Sequence, residues 1–407
     1  MNVLVTGAQF HNKGAQSLLF SLMTELYYRY KNVEIYYLPI DDCFKYETEK
    51  FRFHVVFDDL AYLDYIHVGK NVSSGLYRCA KEITKWMIRY NKKHILRLSR
   101  VWSMIDFVID ISGYALTSNF ELRGTYRYIR HINDARKRRI PVVLMPQSFG
   151  PFEYNDEKIK NQVSNALNSV KMIFAREADG VTALGNIGVT RNVHQSVDLV
   201  LQSRNIDWKC VYIVKPTSFV SNLQTENNVA IIPNTQLYRY GQKTNILKIY
   251  RVIIEAVLKH GKNVYIFRHS NDLAACEDIY EMFADCENVH LIRQEMSCLD
   301  YSTFIRQFDF IVASRFHSIV HAYREGIPAF VLGWAVKYYD LAALFQQEKF
   351  VFDVTTMNVD DDIEMIKDLE SLLVDFSREK TVIQQNLGQI QSNNCYDLCD
   401  IYLRNLE

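Results

Sequence analysis

Two doubly wound α/β domains facing a cleft are the architecture this sequence predicts, on three observations. Short apolar runs alternate with stretches of helical periodicity along most of the chain. The runs are near-continuously apolar, the pattern of parallel strands covered on both faces. A polar stretch after Asp198, through Asn228, separates two groups of such runs, and 407 residues suffice for two or three domains at about 150 residues each.

In chain order, the expected strands of the first group are 2–6, 33–38, 107–111, 142–145 and 170–175, with mostly helical segments between them. Those of the second are 229–232, 264–268, 289–292, 308–313 and 329–332. The predicted division is a first Rossmann-like domain over 1–203, a linker over 204–227, a second Rossmann-like domain over 228–390 and a helical tail over 391–407. The acidic start at Asp360, Asp361, Asp362 and Glu364 suits a helix N-terminus, and the stretch that follows is expected to be solvated structure. One segment departs from the alternation. Residues 78–100 hold eight Lys or Arg against a single Glu82, while Ile83, Trp86, Met87 and Tyr90 recur at helical spacing. This predicts a cationic amphipathic helix, either packed on the first sheet or docked peripherally on anionic lipid. A second basic run, 123–139, reads as a solvated helix face.

Composition narrows the function classes. The 47 Lys plus Arg balance 47 Asp plus Glu, so no global field favours nucleic acid as a partner. Eight cysteines, at 43, 79, 210, 276, 286, 298, 395 and 399, show no zinc-ribbon spacing. They read as reduced thiols filling cores, Cys395 and Cys399 on one helical face included, and imply no metal. No cationic segment precedes the first apolar run, and no apolar run approaches the ~18 residues that span a bilayer. The expected location is the cytoplasm, with the lipid-docking reading of 78–100 placing the protein at the inner face of a membrane.

In open parallel sheets, ligands bind beyond the carboxyl ends of the strands, so the residues that follow each apolar run carry the information. The first strand leads into a loop from Gly7 through Asn12 to Gly14 that opens a helix. It is neither GxGxxG nor a Walker pattern, and its glycine serves ligand approach or a plain tight turn equally well. Later strand ends in the first half supply Asp110, Gln147 and Arg176, and Arg176 is read as an anion contact or as an ion pair with Glu177 or Asp179. The second half supplies His269 to Asp272, then Ser314, Arg315, His317 and Ser318, then Lys337. The SRFHS run follows a strand and opens a helix: Arg315 offers a bidentate grip on phosphate or carboxylate, the helix end adds partial positive charge, and His317 exchanges a proton near neutral pH. Together they describe an anion site with an acid or base.

With NKGAQ after the first strand, QSFGP from Gln147, Arg176-Glu177, SRFHS from Ser314, then Gly326-Ile-Pro328 and Gly333-Trp-Ala-Val-Lys337-Tyr338, the chain resembles the polysaccharide pyruvyl transferase family over most of its length. It departs from the family pattern at Ala15, at Ser112-Gly113 and around Ser196-Val-Asp198. The resemblance implies a glycosyltransferase-B-like pair of domains, the first on the acceptor side and the second on the phosphoenolpyruvate side. It implies transfer of a pyruvyl group from phosphoenolpyruvate, as co-substrate and with no cofactor, to two hydroxyls of a sugar in a surface polysaccharide or exopolysaccharide or its precursor, forming a cyclic ketal and releasing phosphate.

On that resemblance His317 is the general acid to the methylene carbon and Arg315 holds phosphate, the two catalytic assignments. Arg176 holds the donor's carboxylate or phosphate, and Lys337 contacts donor or sugar. Asn12, Gly14, Ser314 and Ser318 line the substrate site, and Asp110, Gln147 and Asp198 position the acceptor. Whether the acceptor is lipid-linked, polymeric or nucleotide-linked stays open. Two other readings share the architecture: a nucleotide-sugar-dependent glycosyltransferase and a non-catalytic carbohydrate-binding relative.

Overall fold

The computed structural model describes residues 1–66, 95–219, 223, 226–357 and 363–404. The chain forms two compact units, and neither is one continuous stretch. The first comprises Met1–His11, Leu18–Pro216 and Asn393–Glu407; the second comprises Asn12–Ser17 and Thr217–Ser392.

The described strands of the first unit are β1 (Asn2–Gly7), β2 (Glu34–Pro39), β3 (His54–Phe57), β4 (Leu96–Arg97), β5 (Phe107–Ile111), β6 (Tyr114–Leu116), β7 (Val142–Phe149), β8 (Met172–Ala175) and β9 (Val193–Gln195). They form one sheet in the order β4-β3-β2-β1-β5-β7-β8-β9, with β6 beside β7, and their pairings are parallel. β5 is buried at all five positions, which is why its run is apolar except for Asp110. The helix Leu122–Lys137 buries Thr125, Tyr128, Ile129, Ile132 and Ala135. These recur at three- and four-residue steps, so they form one stripe facing the sheet and the basic residues take the other side. Tyr128, Ile129 and Ile132 join a core that also holds Val108, Leu144 and Ile173.

The second unit is a parallel sheet in the order β12-β11-β10-β13-β14-β15, built from β10 (Asn228–Ile232), β11 (Asn263–Phe267), β12 (Val289–Ile292), β13 (Phe310–Ala313), β14 (Ala329–Gly333) and β15 (Val351–Asp353). One of its cover helices, Lys243–Lys259, buries Ile246, Ile249, Tyr250, Ile253, Ile254 and Val257. Each of those aliphatic side chains contributes about 1.5–3 kcal/mol of burial. In both sheets successive strands leave a central strand in opposite directions, the doubly wound arrangement the sequence predicts.

Four features depart from the sequence reading. The short strands β3, β4, β6, β9 and β15 escape it because two to four residues carry no readable period. The stretch expected as a linker over 204–227 is divided, its part up to Pro216 belonging to the first unit. The tail is also part of the first unit: in the helix Cys395–Leu403, Cys395, Tyr396, Cys399 and Leu403 are buried, and Arg29 reaches Asp397 and Asp400 at 2.7 and 2.9 Å. The tail is therefore anchored by an apolar face rather than solvated on all sides. Of the expected cationic helix over 78–100, residues 78–94 lie outside the described residues, and so does the lipid-contact reading that rests on them. The described end is not one helix: Leu96–Arg97 pair with β3, and the short helix Leu98–Val101 follows. Ile95, Leu98, Val101 and Trp102 are buried, so their apolar surface is spent on the core. Among the described residues no helix is long and apolar enough to cross a membrane.

Candidate active site

The site residues expected in the first unit are held by one another. Asp110, at the end of β5, is buried and accepts from Thr6 Oγ1 (2.7 Å), Ser112 N (3.1 Å), Ser112 Oγ (3.0 Å), the Tyr128 hydroxyl (3.1 Å) and Gln147 Nε2 (3.1 Å). Burial and the nearby Asp110 carboxylate push the Tyr128 phenol well above its ordinary value, which keeps it a donor. Gln147, fully buried, returns its oxygen to Tyr128 at 3.1 Å. Gly7 makes this hub possible: its φ is +89°, and a Cβ there would stand 2.5 Å from Ser112 N.

Arg176, after β8, gives Nη1 to Asp198 (2.8 Å), Nε to Glu177 (3.1 Å) and Nη2 to Ser148 Oγ (2.7 Å), and its side chain is 7% exposed. Of Glu177 and Asp179, the partners the sequence left open, Arg176 meets Glu177; its second carboxylate is Asp198, which the sequence did not offer as its partner. Burial opposes the guanidinium charge here, but the two carboxylates outweigh it and raise the Arg176 pKa. Asp198 also caps the short helix Leu199–Gln202 through Val200 N at 3.0 Å.

The second unit collects a different set. Residues 12–17 open the helix Lys13–Arg29, and Asn12 caps it, its Oδ1 accepting from Ala15 N at 3.2 Å. Gly14 lies against His317: a Cβ on Gly14 would stand 2.5 Å from His317 Cγ and 2.6 Å from its Nδ1. The glycine is thus required for the imidazole to lie on the backbone. His317 follows Arg315, the N-cap of the helix Phe316–Arg324, directly beyond β13. Phe316 stands edge-on to His317 with ring centres 5.6 Å apart, and Lys337 Nζ lies 5.6 Å from the centre of the same Phe316 ring. Asn12, Gly14, His317 and Lys337 are therefore grouped in this unit.

Arg315 is fixed by a bidentate pair, Nε to Asp272 Oδ2 at 2.7 Å and Nη2 to Asp272 Oδ1 at 2.6 Å. Asp272 is fully buried and also accepts from Thr235 N and Oγ1 at 3.1 and 3.0 Å. Ser314 is architectural. Its hydroxyl meets the Tyr250 hydroxyl at 2.6 Å, and its carbonyl accepts from Asn234 Nδ2 (3.2 Å) and Tyr338 OH (3.0 Å). Ser318 is fully buried beside Tyr301.

Sequence reading gave no role to Lys13, named only within the NKGAQ run, or to His269, named only as the start of a strand-end run, and it did not single out His321. Lys13 is 1% exposed, and its Nζ is 3.7 Å from Glu295 Oε1, beyond hydrogen-bond range. Burial lowers its pKa, with Arg268 adding to the effect and Glu295 opposing it. His321 is gripped by Ser17 Oγ (2.7 Å) and Ser302 Oγ (3.0 Å), and burial, with the charges of His317, Arg324 and Lys13, pushes it down to about 3. His269 is held well below its ordinary value by burial and then by His321 and Lys13. Lys13 had a sequence signal, its place between Asn12 and Gly14; His321 had none, because one turn of helix past His317 reads as core. Among the described residues no group of three or more His, Cys, Asp and Glu is placed to hold a metal ion.

The comparisons with known proteins agree with the fold of two parallel sheets. The structure of a mutant of S. aureus TarM in complex with fondaparinux, alpha-GlcNAc-glycerol and UDP superposes with a TM-score of 0.56 at 10% identity, covering 99% of each chain. A UDP-GlcNAc 2-epimerase from Neisseria meningitidis, bound to UDP-GlcNAc, superposes with a TM-score of 0.51 at 12% identity, covering 94% of each chain. At such identities the likeness shows the fold, two Rossmann-like domains of the glycosyltransferase-B kind. No curated protein matches the chain. The polysaccharide pyruvyl transferase family model matches residues 12–335, a span that opens at Asn12, runs through Arg315 and His317 and closes just before Lys337. This chain belongs to the polysaccharide pyruvyl transferase family, an enzyme family.

Proposed function

We propose that the protein transfers a pyruvyl group from phosphoenolpyruvate to two hydroxyls of a saccharide, the precursor or product of a surface polysaccharide or exopolysaccharide. The observation that carries this reading is the cation-rich, buried setting of His317: Lys13, Arg268 and Arg315 stand around a histidine group whose members His269 and His321 are held neutral. Buried positive charge without a full complement of carboxylates is costly unless an anion completes it. Phosphoenolpyruvate, with a phosphate and a carboxylate, has the required charge.

In this reading Asp272 occupies one edge of the Arg315 guanidinium and fixes its plane, and Nη1 on the other edge reaches the donor phosphate. Lys13, at the first turn of its helix, adds a second positive group to the same anion. His317 gives a proton to the methylene carbon, and the adjacent carbon becomes electrophilic. A sugar hydroxyl adds there and loses its proton. A second hydroxyl then displaces phosphate, closing the ketal, with the cations taking up the charge that develops on the leaving group. Arg176, Ser314 and Ser318 act in this scheme by holding loops in place rather than by touching the donor, and Lys337 supports Phe316 and through it the His317 ring.

The test is phosphate release from phosphoenolpyruvate, with and without saccharide, on the native chain and on His317→Ala. Sugar-dependent release that His317→Ala abolishes, with phosphoenolpyruvate still stabilising the variant against heat, is the expected result. By mass action a ligand at 100 times its Kd adds about 2.7 kcal/mol. Stabilisation by UDP-sugars and none by phosphoenolpyruvate would replace this reading with glycosyl transfer.

A further inference from the structure

Within the second unit, the opening turn of the helix Lys13–Arg29 meets the helix Phe316–Arg324 at two successive turns. Gly14 lies against the His317 ring. One turn further along both helices, Ser17 Oγ meets His321 Nε2 at 2.7 Å. The steps are three residues on one helix and four on the other, the spacings that keep one face of a helix aligned, so the two contacts are successive rungs of one ladder. The first rung holds the group assigned to the chemistry. The second is polar, is fully buried at both residues, and takes no part in the chemistry above.

The hydrogens of the second rung follow from its partners. Ser17 Oγ also lies 2.7 Å from the Lys13 carbonyl, which can only accept, so the hydroxyl hydrogen goes there. The same oxygen therefore accepts from His321, which puts the imidazole proton on Nε2. Burial keeps the ring neutral, so Nδ1 is an acceptor and takes the hydroxyl hydrogen of Ser302 at 3.0 Å. Ser302 stands on a third helix, Cys298–Ile305, whose first backbone N–H goes to Gln16 Oε1 at 3.2 Å. With one donor and one acceptor aimed at different helices, His321 is held in one orientation, and both its nitrogens are spent inside the protein.

An apolar residue at 321 would bury equally well but would select no register, because apolar contact is non-directional whereas a hydrogen bond fixes distance and angle. A slip of one residue along the opening turn rotates it by about 100° and moves it by about 1.5 Å. That takes Gly14 off the imidazole and turns a residue with a side chain, Lys13 or Ala15, towards it. Only glycine leaves room, since a Cβ at position 14 would stand 2.5 Å from His317 Cγ. We propose that His321 is a positioning residue: through Ser17 it sets the register of residues 12–17 and so holds Gly14 against the His317 ring. The register stands on geometry; its effect on turnover rests on the pyruvyl transfer reading.

The first measurement needs no substrate. In protein carrying labelled glycine and histidine, a nuclear Overhauser cross-peak between the Gly14 α-protons and the His317 ring reports the first rung. It is expected in the native chain and in His321→Gln, whose amide N–H still reaches Ser17. It is expected to vanish in His321→Leu and in Ser17→Ala, and the double substitution should look like either single one. Ser17→Ala removes only a hydroxyl and favours the helix, so it carries the test even where His321→Leu folds poorly. A cross-peak that survives in Ser17→Ala and in folded His321→Leu overturns the proposal, as does a neutral His321 that nitrogen NMR shows protonated on Nδ1. Phosphate release from phosphoenolpyruvate with saccharide tests the consequence. A fall of about 10- to 100-fold per folded molecule is expected in His321→Leu, largely restored in His321→Gln. Full turnover in His321→Leu with the cross-peak gone removes the positioning role. No release by the native chain, with the cross-peak behaving as expected, removes the transfer reading and keeps the register.

Discussion

The strand ends of the two units carry similar residue types and use them in opposite ways. In the first unit Asp110 receives five hydrogen bonds and Arg176 meets Asp198, Glu177 and Ser148, so charge and hydrogen-bonding capacity are spent within the protein. In the second unit Lys13 is buried with its nearest carboxylate oxygen at 3.7 Å, beside His269 and His321, which burial keeps neutral. Residue type at a strand end therefore separates architecture from chemistry poorly; the tally of partners separates them well. Asp110 and Arg176, with their groups filled, hold loops, whereas the buried Lys13 ammonium keeps unfilled donors that the proposed anion would meet.

Substitutions can break this contrast, and the largest effect is expected where saturation is greatest. Arg176→Ala leaves the buried Asp198 and the half-buried Glu177 without their cation, and a loss of about 3 kcal/mol is expected in urea unfolding. A loss of activity with full stability would instead make Arg176 a ligand contact. In the second unit, Gly14→Ala places a methyl group 2.5 Å from His317 Cγ and must push the ring aside. Turnover is expected to fall about 100-fold, the cost of a misplaced reacting group, while the overpacking cost of about 1–3 kcal/mol is partly offset by the gain of about 1 kcal/mol in helix propensity, so the melting temperature falls only slightly.

The acid limb of the stability curve sharpens the comparison further. His321 is about 3 in the folded chain and near 6.5 when unfolded, so the unfolded state binds the extra proton between these values. Stability is intact above pH 6.5 and falls as pH drops toward 3, by up to about 1.4 kcal/mol per pH unit. His321→Gln should flatten that slope in urea titrations across the same range. The smallest effect belongs to Lys13. Its folded pKa lies below the unfolded 10.5, so its charge costs stability at neutral pH, and the cost is relieved as pH rises toward 10.5. Lys13→Met is expected to add about 0.5–2 kcal/mol at pH 7, to lose the alkaline gain, and to weaken phosphoenolpyruvate binding; an unchanged affinity would remove Lys13 from the donor site.

The sequence made the parallel sheets legible because both faces of their strands are buried, so runs such as Phe310–Ala313 and Ala329–Gly333 are apolar without interruption. It hid β4 and β9, whose two and three residues hold no period. At the site, Arg315, His317 and Gly14 were readable because a strand, a turn and a helix start leave a pattern of residue types. The pairing of Asp272 with Arg315 was not, since a separation of 43 positions carries no local signal for a contact that depends on β11 and β13 lying on either side of β10. The same holds for Asp198 and Arg176, 22 positions apart with the helix Ala178–Asn186 and β9 between them. Local chemistry leaves a trace in sequence, and pairing across strands does not.

The helix Lys13–Arg29 begins in one unit and continues in the other, and the last residues of the chain return to the first. During synthesis, then, the segment 12–17 emerges early and must wait for residues near 298, 317 and 321 before Gln16, Gly14 and Ser17 find their partners. The first unit in turn lacks the helix Cys395–Leu403, whose Cys399 packs on Met145, until the ribosome has nearly finished. Closing loops this long is slow relative to local folding, so the nascent chain spends most of its elongation with two unfinished cores. A fragment cut at residue 216 would reproduce that intermediate in the test tube, with residues 393–407 missing from one side and nothing for residues 12–17 to grip.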